Sequence, residues 1–185
     1  MRIVGGRLRG RALAAPKTQS IRPTADRLRE SLFNILMHAY GDPVGGARVL
    51  DLFAGTGALG LEAISRGAAF AQFVDDGVEA RALQRQNVEA LGVAAITRIF
   101  RRDATKLGPV HPVEPFSLVF LDPPYGKGLG EKALASAHEG GWLTNDALIV
   151  VEEIVGAFKT PDGFEEIERR KYDDTEFTIL RHARA

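Results

Sequence analysis

The run Arg48-Val49-Leu50-Asp51-Leu52-Phe53-Ala54-Gly55-Thr56-Gly57-Ala58-Leu59-Gly60 constrains the fold more than any other stretch of the chain. Val49 to Phe53 has the continuous apolar character of a strand buried in a parallel sheet. Three glycines then break it, and Leu59 to Arg66 resumes with helical spacing. Strand, glycine turn and helix together make a ligand cradle, because the turn lets backbone approach the ligand and the helix N-terminus presents unpaired N–H groups. The letters Gly55-x-Gly57-x-x-Gly60 also satisfy the dinucleotide fingerprint, and Asp75 follows at about the distance of a ribose-binding acid. Asp51 opposes a dinucleotide. Its carboxylate, inside the apolar strand and turned to the ligand, suits a molecule carrying positive charge and an amino group and suits a pyrophosphate badly. A glycine turn that serves packing alone is the other reading of this stretch.

The remaining chain repeats the alternation of strand and helix. At 185 residues it is long enough for one domain with a sizeable core. A helix is expected after Thr24, a plausible N-cap, with Leu28, Leu32, Ile35 and Leu36 on one apolar face, ending before Gly41. Strands are expected at Ala69–Val74, Ile96–Phe100, Phe116–Leu121 and Ala147–Val151, and helices at Gly77–Leu91 and Gly128–Glu139. Asn87 reads as a surface residue. Glu165–Lys171 and Glu176–Arg181 read as a terminal hairpin around Asp173-Asp174. Alternating strands and helices imply a parallel sheet with helices on both faces, and ligands bind such sheets beyond the carboxyl ends of the strands. Asp51, Asp75, Asp103 and Asp122 each end, or nearly end, a strand. Asp75 can accept two ribose hydroxyls; Asp103 can meet an adenine amine or cap the next turn.

Charge is divided unevenly. Residues 1–30 hold eight basic side chains against two acidic ones, in a chain whose formal net charge is zero. A basic end on an acidic body suits a polyanion. Residues 1–15 read as a β-hairpin around Gly5-Gly6-Arg7, with Arg2, Arg7, Arg9 and Arg11 at its polar positions. Arginine matches phosphate and stacks on bases, so these residues and Arg22 are expected to contact RNA; the alternative is a charged edge that prevents aggregation. The expected division is a basic arm at 1–20 and one domain at 21–185. The chain has no cysteine, which excludes disulfides, cysteine-ligated metal and thiolate nucleophiles. No apolar run approaches the ~20 residues that span a bilayer, and the N-terminus lacks the apolar segment of a signal peptide. A cytoplasmic monomer without metal is expected.

Asp122-Pro123-Pro124-Tyr125 is the most specific signal. Two prolines make a rigid turn whose carbonyls are free to accept hydrogen bonds. Asp122 and the Pro123 carbonyl can hold the two hydrogens of an exocyclic amine and aim its lone pair at an electrophile. Tyr125 offers a face on which a flipped base can stack. An aryl amine loses its proton easily once alkylated, so such a site needs positioning and charge complementarity more than a strong base. A Pro-Pro turn that merely ends a strand is the bland alternative.

Asp51-Leu52-Phe53-Ala54-Gly55-Thr56-Gly57 followed by Asp122-Pro123-Pro124-Tyr125 resembles the S-adenosylmethionine-dependent amino methyltransferases. Three further features are similar to the bacterial small-subunit ribosomal RNA guanine-N2 methyltransferases of the RsmD type. They are the arginine hairpin, Arg22-Pro23-Thr24-x-x-Arg27-x-x-Glu30-x-x-Phe33-Asn34-Ile35-Leu36, and Gly57-Ala58-Leu59-Gly60-Leu61-Glu62-Ala63. The likeness runs from Met1 to about residue 155. It implies an α/β, Rossmann-like class I methyltransferase fold: a mostly parallel seven-stranded sheet with helices on both faces, a reversed hairpin closing it, and an N-terminal β-hairpin arm. It implies S-adenosyl-L-methionine as cofactor and a guanine of 16S rRNA, in the small ribosomal subunit or an assembly intermediate, as substrate. The expected cofactor contacts are Thr24, Asp51, Phe53 and Ala54, then Gly55, Thr56 and Gly57, with Asp75, Asp76, Asp103 and Ala104. The expected catalytic group is Asp122, Pro123, Pro124 and Tyr125. Thr56 stands where serine is more usual and keeps the hydroxyl. Asp75-Asp76 stands where glutamate usually opens the pair, which leaves open the carboxylate that grips the ribose. A DNA adenine-N6 or other amino methyltransferase, an rRNA-binding assembly factor without chemistry, and a dinucleotide oxidoreductase are the competing functions.

Overall fold

The computed structural model describes residues 1–17 and 23–183. Seven strands form one sheet in the order β3-β2-β1-β4-β5-β7-β6. In chain order they are β1 (Arg48–Leu52), β2 (Phe70–Asp75), β3 (Thr97–Arg101), β4 (Phe116–Leu121), β5 (Leu143–Ile154), β6 (Phe164–Tyr172) and β7 (Thr175–His182). The first five run parallel, and β7 enters antiparallel between β5 and β6. The helices are α1 (Pro23–Ala39), α2 (Ala58–Ser65), α3 (Val78–Leu91) and α4 (Leu129–Glu139). The expected mostly parallel sheet with a closing reversed hairpin is therefore present.

Side-chain alternation splits the apolar interior into two layers. One holds Val49, Phe73, Phe120 and Val150 against Leu32, Phe33 and Leu36 of α1, Leu61 and Ile64 of α2, and Val88 of α3. The other holds Leu50, Val74, Val119 and Val151 against Ala133, Leu134 and Ala137 of α4, with Trp142 and Phe158. Both faces of the central strands are covered, which explains why their sequences are continuously apolar.

Three differences from expectation bear on the site. β5 continues to Ile154 and so includes Glu152 and Glu153. Ile96 closes a short 3-10 turn before β3 starts at Thr97. The N-terminal hairpin is reduced to one antiparallel bridge, Arg2 with Ala12. Gly6 and Gly10 adopt φ of 77° and 84°, which curls the chain between them into turns rather than a ladder. The backbone groups thus freed bond to α2. Glu62 accepts Val4 N at 3.0 Å and Gly5 N at 2.9 Å, and Ser65 accepts Leu8 N through its hydroxyl and Arg7 N through its carbonyl. Ile3, Leu8 and Leu13 are buried in the first apolar layer. Arg22 lies outside the described residues, as does the side chain of Thr24.

Candidate active site

The carboxyl ends of β1, β4 and β5 put three acids on one face of the sheet. Asp51 pairs in register with Phe120, and Leu121 pairs with Val151. One residue further on, Asp122 and Glu152 are therefore neighbours and share the face of Phe120 and Val150. A cleft of about 850 Å³ opens there, lined by Asp51, Phe53, Ala54, Gly55, Thr56, Asp122, Tyr125 and Glu152. Met1 and Leu28 contribute to its wall on one side, Glu79 and Leu83 of α3 on another, and Asp173 and Asp174 of the β6–β7 turn on a third. Gly57, Asp75, Asp76, Asp103, Ala104 and the two prolines are not among its lining residues. Pro123 is buried beneath the turn, and Tyr125 stands 46% exposed at the mouth.

The glycine loop is held from below. Asp51 Oδ2 accepts Gly60 N at 3.0 Å, so the carboxylate and the first turn of α2 fix each other. A Cβ on Gly60 would sit 2.5 Å from the buried Phe73 ring, so only glycine lets α2 pack this close to the strands. Asp75 Oδ2 accepts Gly55 N at 2.9 Å and its Oδ1 accepts Gly77 N at 2.9 Å, each oxygen keeping a second lone pair. From α3, Gln84 Nε2 donates to Gly55 O at 2.9 Å. Asn87 Nδ2 donates to Thr56 O at 3.0 Å and Ala14 O at 3.2 Å, while its Oδ1 accepts Ala14 N at 2.7 Å. Asn87 is buried, not a surface residue: one amide ties the N-terminal segment to the glycine loop.

The electrostatics single out two carboxyls. Burial pushes Asp51 up to about 8, partly offset by the Gly60 hydrogen bond and reinforced by the negative charge of Asp75. A buried anion with one backbone donor lacks a cation. Asp122 opens to the cleft on one side and is enclosed by protein on the others. That enclosure, with Glu152, Asp51 and Glu153 nearby, drives its carboxyl well above the usual range. Glu152 is the largest influence on Asp122 after burial. Tyr125 is pushed up to about 12, first by its enclosure and then by Glu152. Glu153, on the opposite face, accepts Gly126 N at 3.1 Å and anchors the loop behind Tyr125. Asp103 bonds Thr105 N and Oγ1 at 2.9 and 2.7 Å, which caps the following turn and holds its carboxyl below the usual range.

Arg2, Arg7, Arg9 and Arg11 are all exposed, and Arg11 also donates to Ala90 O at 2.6 Å. Sequence reasoning missed Glu152, Gln84 and Asn87. Glu152 could have been found, since it ends an apolar strand just as Asp51 and Asp122 do. Among the described residues, no group of three or more His, Asp or Glu is arranged to hold a metal ion, and no helix is long and apolar enough to cross a membrane.

Residues 1–181 match the family described as conserved hypothetical protein 95. Ribosomal RNA small subunit methyltransferase D of Escherichia coli K12 is 41% identical over 157 residues, 84% of this chain and 75% of that protein. The protein of the same name from Haemophilus influenzae is 38% identical over 82% of this chain and 78% of its own. A solved Escherichia coli structure, provisionally named a methyltransferase, superposes with a TM-score of 0.83 over 99% of this chain and 98% of that one, at 33% identity.

Proposed function

We propose an activity from the premise that this chain belongs to the conserved hypothetical protein 95 family, the family of the RsmD-type small-subunit rRNA methyltransferases. It acts as an rRNA methyltransferase. The finer reading is transfer of a methyl group from S-adenosyl-L-methionine to the exocyclic N2 amine of a guanine in 16S rRNA of the small subunit. The observation that carries it is the placing of the Asp122–Tyr125 turn and the Asp51–Thr56 cradle on one cleft.

The residues present fit the cofactor. When bound, it supplies an electrophilic methyl on a positively charged sulfur. Asp51, a buried carboxyl short of a cation, complements the positive charge and amino group. The Phe53–Thr56 backbone, braced by Asp75, Gln84 and Asn87, forms the wall against which the nucleoside would rest. Asp122 accepts a hydrogen of the target amine and orients its lone pair, and Tyr125 stacks on the base. The product amine sheds its proton to the carboxyls facing it or to water. Positioning and fixed charge do the work, so no strongly basic side chain is required. Incubating the protein with labelled cofactor and unmethylated small subunits, then identifying the labelled nucleoside, tests this; N2-methylguanosine is expected, and label in adenosine would sink it.

The raised Asp51 carboxyl gives a pH signature. Its folded value lies above the ordinary carboxylate value, so neutral Asp51 favours the free fold at low pH. That contribution is lost as pH rises from about 4 through about 8. A cationic ligand reverses the preference, so binding at pH 7 should expel about one proton, and affinity should fall as pH drops below about 8. Calorimetry in two buffers of different ionisation enthalpy reads the proton directly. No proton release at pH 7 would place the positive charge away from Asp51.

The exposed arginines give a salt signature. Arg7 and Arg9 project from a segment whose buried side is fixed by Ile3 and Leu8. Replacing each with alanine should spare the fold and cofactor affinity. Each lost phosphate contact should flatten the salt dependence of RNA binding by roughly 0.7–0.9 in log–log slope. An unchanged slope would leave these arginines as solvated surface.

A further inference from the structure

Glu152 has no part in the roles above, yet it lies where the target base must enter. We propose that Glu152 is the second carboxylate of the base pocket, accepting the N1–H of guanine beside the amine held by Asp122, and that this pair selects guanine over adenine. The inference rests on the guanine-N2 reading and names the residue that makes the choice.

Three observations place it. Leu121 and Val151 are in register on parallel strands, so Asp122 and Glu152 occupy adjacent rungs, with backbones about 4.8 Å apart. Glu152 acts directly on the Asp122 carboxyl, and both residues line the cleft together with Tyr125. The neighbouring Glu153 points to the opposite face and is committed to the backbone of Gly126 and Ile154 at 3.1 and 2.8 Å, so the two consecutive glutamates have separate tasks.

The chemistry of the two purines decides what such a pair can read. On guanine, the exocyclic amine is flanked by N1–H, so this edge offers three donor hydrogens in a row. On adenine, the amine is flanked by the N1 lone pair, an acceptor. Ionised carboxylates only accept. Glu152 and Asp122 are two acceptors for the adjacent N1 and amine hydrogens of guanine, whereas adenine would set its N1 lone pair against Glu152. In the free protein burial and the crowding by Glu152 drive the Asp122 carboxyl well above its ordinary range. Guanine's donors take the place of the proton so held on Asp122. A site built around donors rejects a base that lacks one, because the acceptor is then left buried and unpaired.

2-Aminopurine separates the two contacts, since it keeps the 2-amine and lacks the N1 hydrogen. Small subunits are rebuilt on ligated 16S rRNA carrying either guanosine or 2-aminopurine at the mapped target. Single-turnover methylation is then followed with the full-length protein at saturating cofactor. The wild-type protein is expected to favour guanosine by at least about 30-fold, the usual loss for one unpaired buried acceptor. Glu152→Gln, which can turn either an oxygen or an amide to the base, should bring the ratio below about threefold. Glu152→Ala should slow guanosine and leave 2-aminopurine nearly unchanged. Calorimetric affinity for S-adenosylmethionine should stay at the wild-type value in both variants, which reports an intact fold. A wild-type ratio near one overturns the proposal without any variant, and so does a wild-type ratio retained in Glu152→Ala. If the wild-type protein methylates neither base but labels another nucleoside, the guanine-N2 reading fails as well. Guanosine turnover with an unaltered ratio sinks the role of Glu152 alone.

Discussion

Asp122→Ala is expected to slow methyl transfer by about a hundredfold or more in single-turnover assays on unmethylated small subunits, with cofactor saturating. That is the usual consequence of removing one preorganised polar group from a reacting centre. The fold should survive, because Asp122 is open to the cleft and packs no apolar layer. Cofactor affinity should change little, because the buried carboxyl beneath the cradle is Asp51. Removal also takes away an enclosed acid whose ionisation burial and Glu152 oppose, so a slight rise in thermal stability can accompany the lost activity. Tyr125 provides the internal comparison. Tyr125→Phe should keep much of the activity, losing only the hydroxyl, while Tyr125→Ala loses a stacking surface worth roughly 1–3 kcal/mol. Wild-type turnover by Asp122→Ala would place the chemistry elsewhere.

The second large effect is on stability. Deleting residues 1–13 should abolish cooperative unfolding or lower the melting temperature by about 10–20 °C, measured by circular dichroism. Ile3, Leu8 and Leu13 are each under a tenth exposed. Burying such side chains is worth about 1.5–3 kcal/mol apiece, against a total stability of about 5–15 kcal/mol for an ordinary domain. The deletion also strips Glu62, fully buried, of its bonds from Val4 and Gly5, leaving Arg29 and Arg66 to neutralise it. A melting temperature within a few degrees of wild type would show that these contacts are dispensable. The same reasoning makes deletion a poor probe of RNA binding here, since lost affinity would follow from lost structure. Arg7 and Arg9 substitutions separate the two.

What the chain disclosed depended on distance along it. The strand, glycine turn and helix around Gly55 occupy consecutive residues, and Asp122-Pro123-Pro124-Tyr125 needs only four, so local pattern sufficed for both. The order of the strands is not local, yet the alternation of strand and helix restricts it so strongly that the parallel sheet could be anticipated. Asn87 was misread because nothing near it in sequence marks a buried amide; its partners, Ala14 and Thr56, lie 73 and 31 residues away. The N-terminal hairpin was over-read for the converse reason. Gly5-Gly6 is a good turn signal, but the bonds its turns free go to Glu62 and Ser65, and the pairing shrinks to the bridge of Arg2 with Ala12. Glu152 hid behind a boundary: β5 was expected to stop at Val151, and the register with β4 alone reveals which acid faces Asp122.

The anchoring of the N-terminal segment sets a timetable for biosynthesis. Its docking partners are Glu62 and Ser65, 57 to 58 residues downstream, and Asn87, 73 residues downstream. On a translating ribosome the segment emerges before any of them, and at about 5–20 residues per second it waits several seconds for its seat to be made. During that interval its apolar side chains are bare and its arginines unpaired, so the growing polypeptide presents a basic tether at the mouth of an RNA machine. The glycine loop reaches its braced state only when Asn87 arrives and bonds two segments made before it, at Ala14 and at Thr56. Completion of α3 is thus the earliest point at which every side chain that braces the glycine loop has been synthesised.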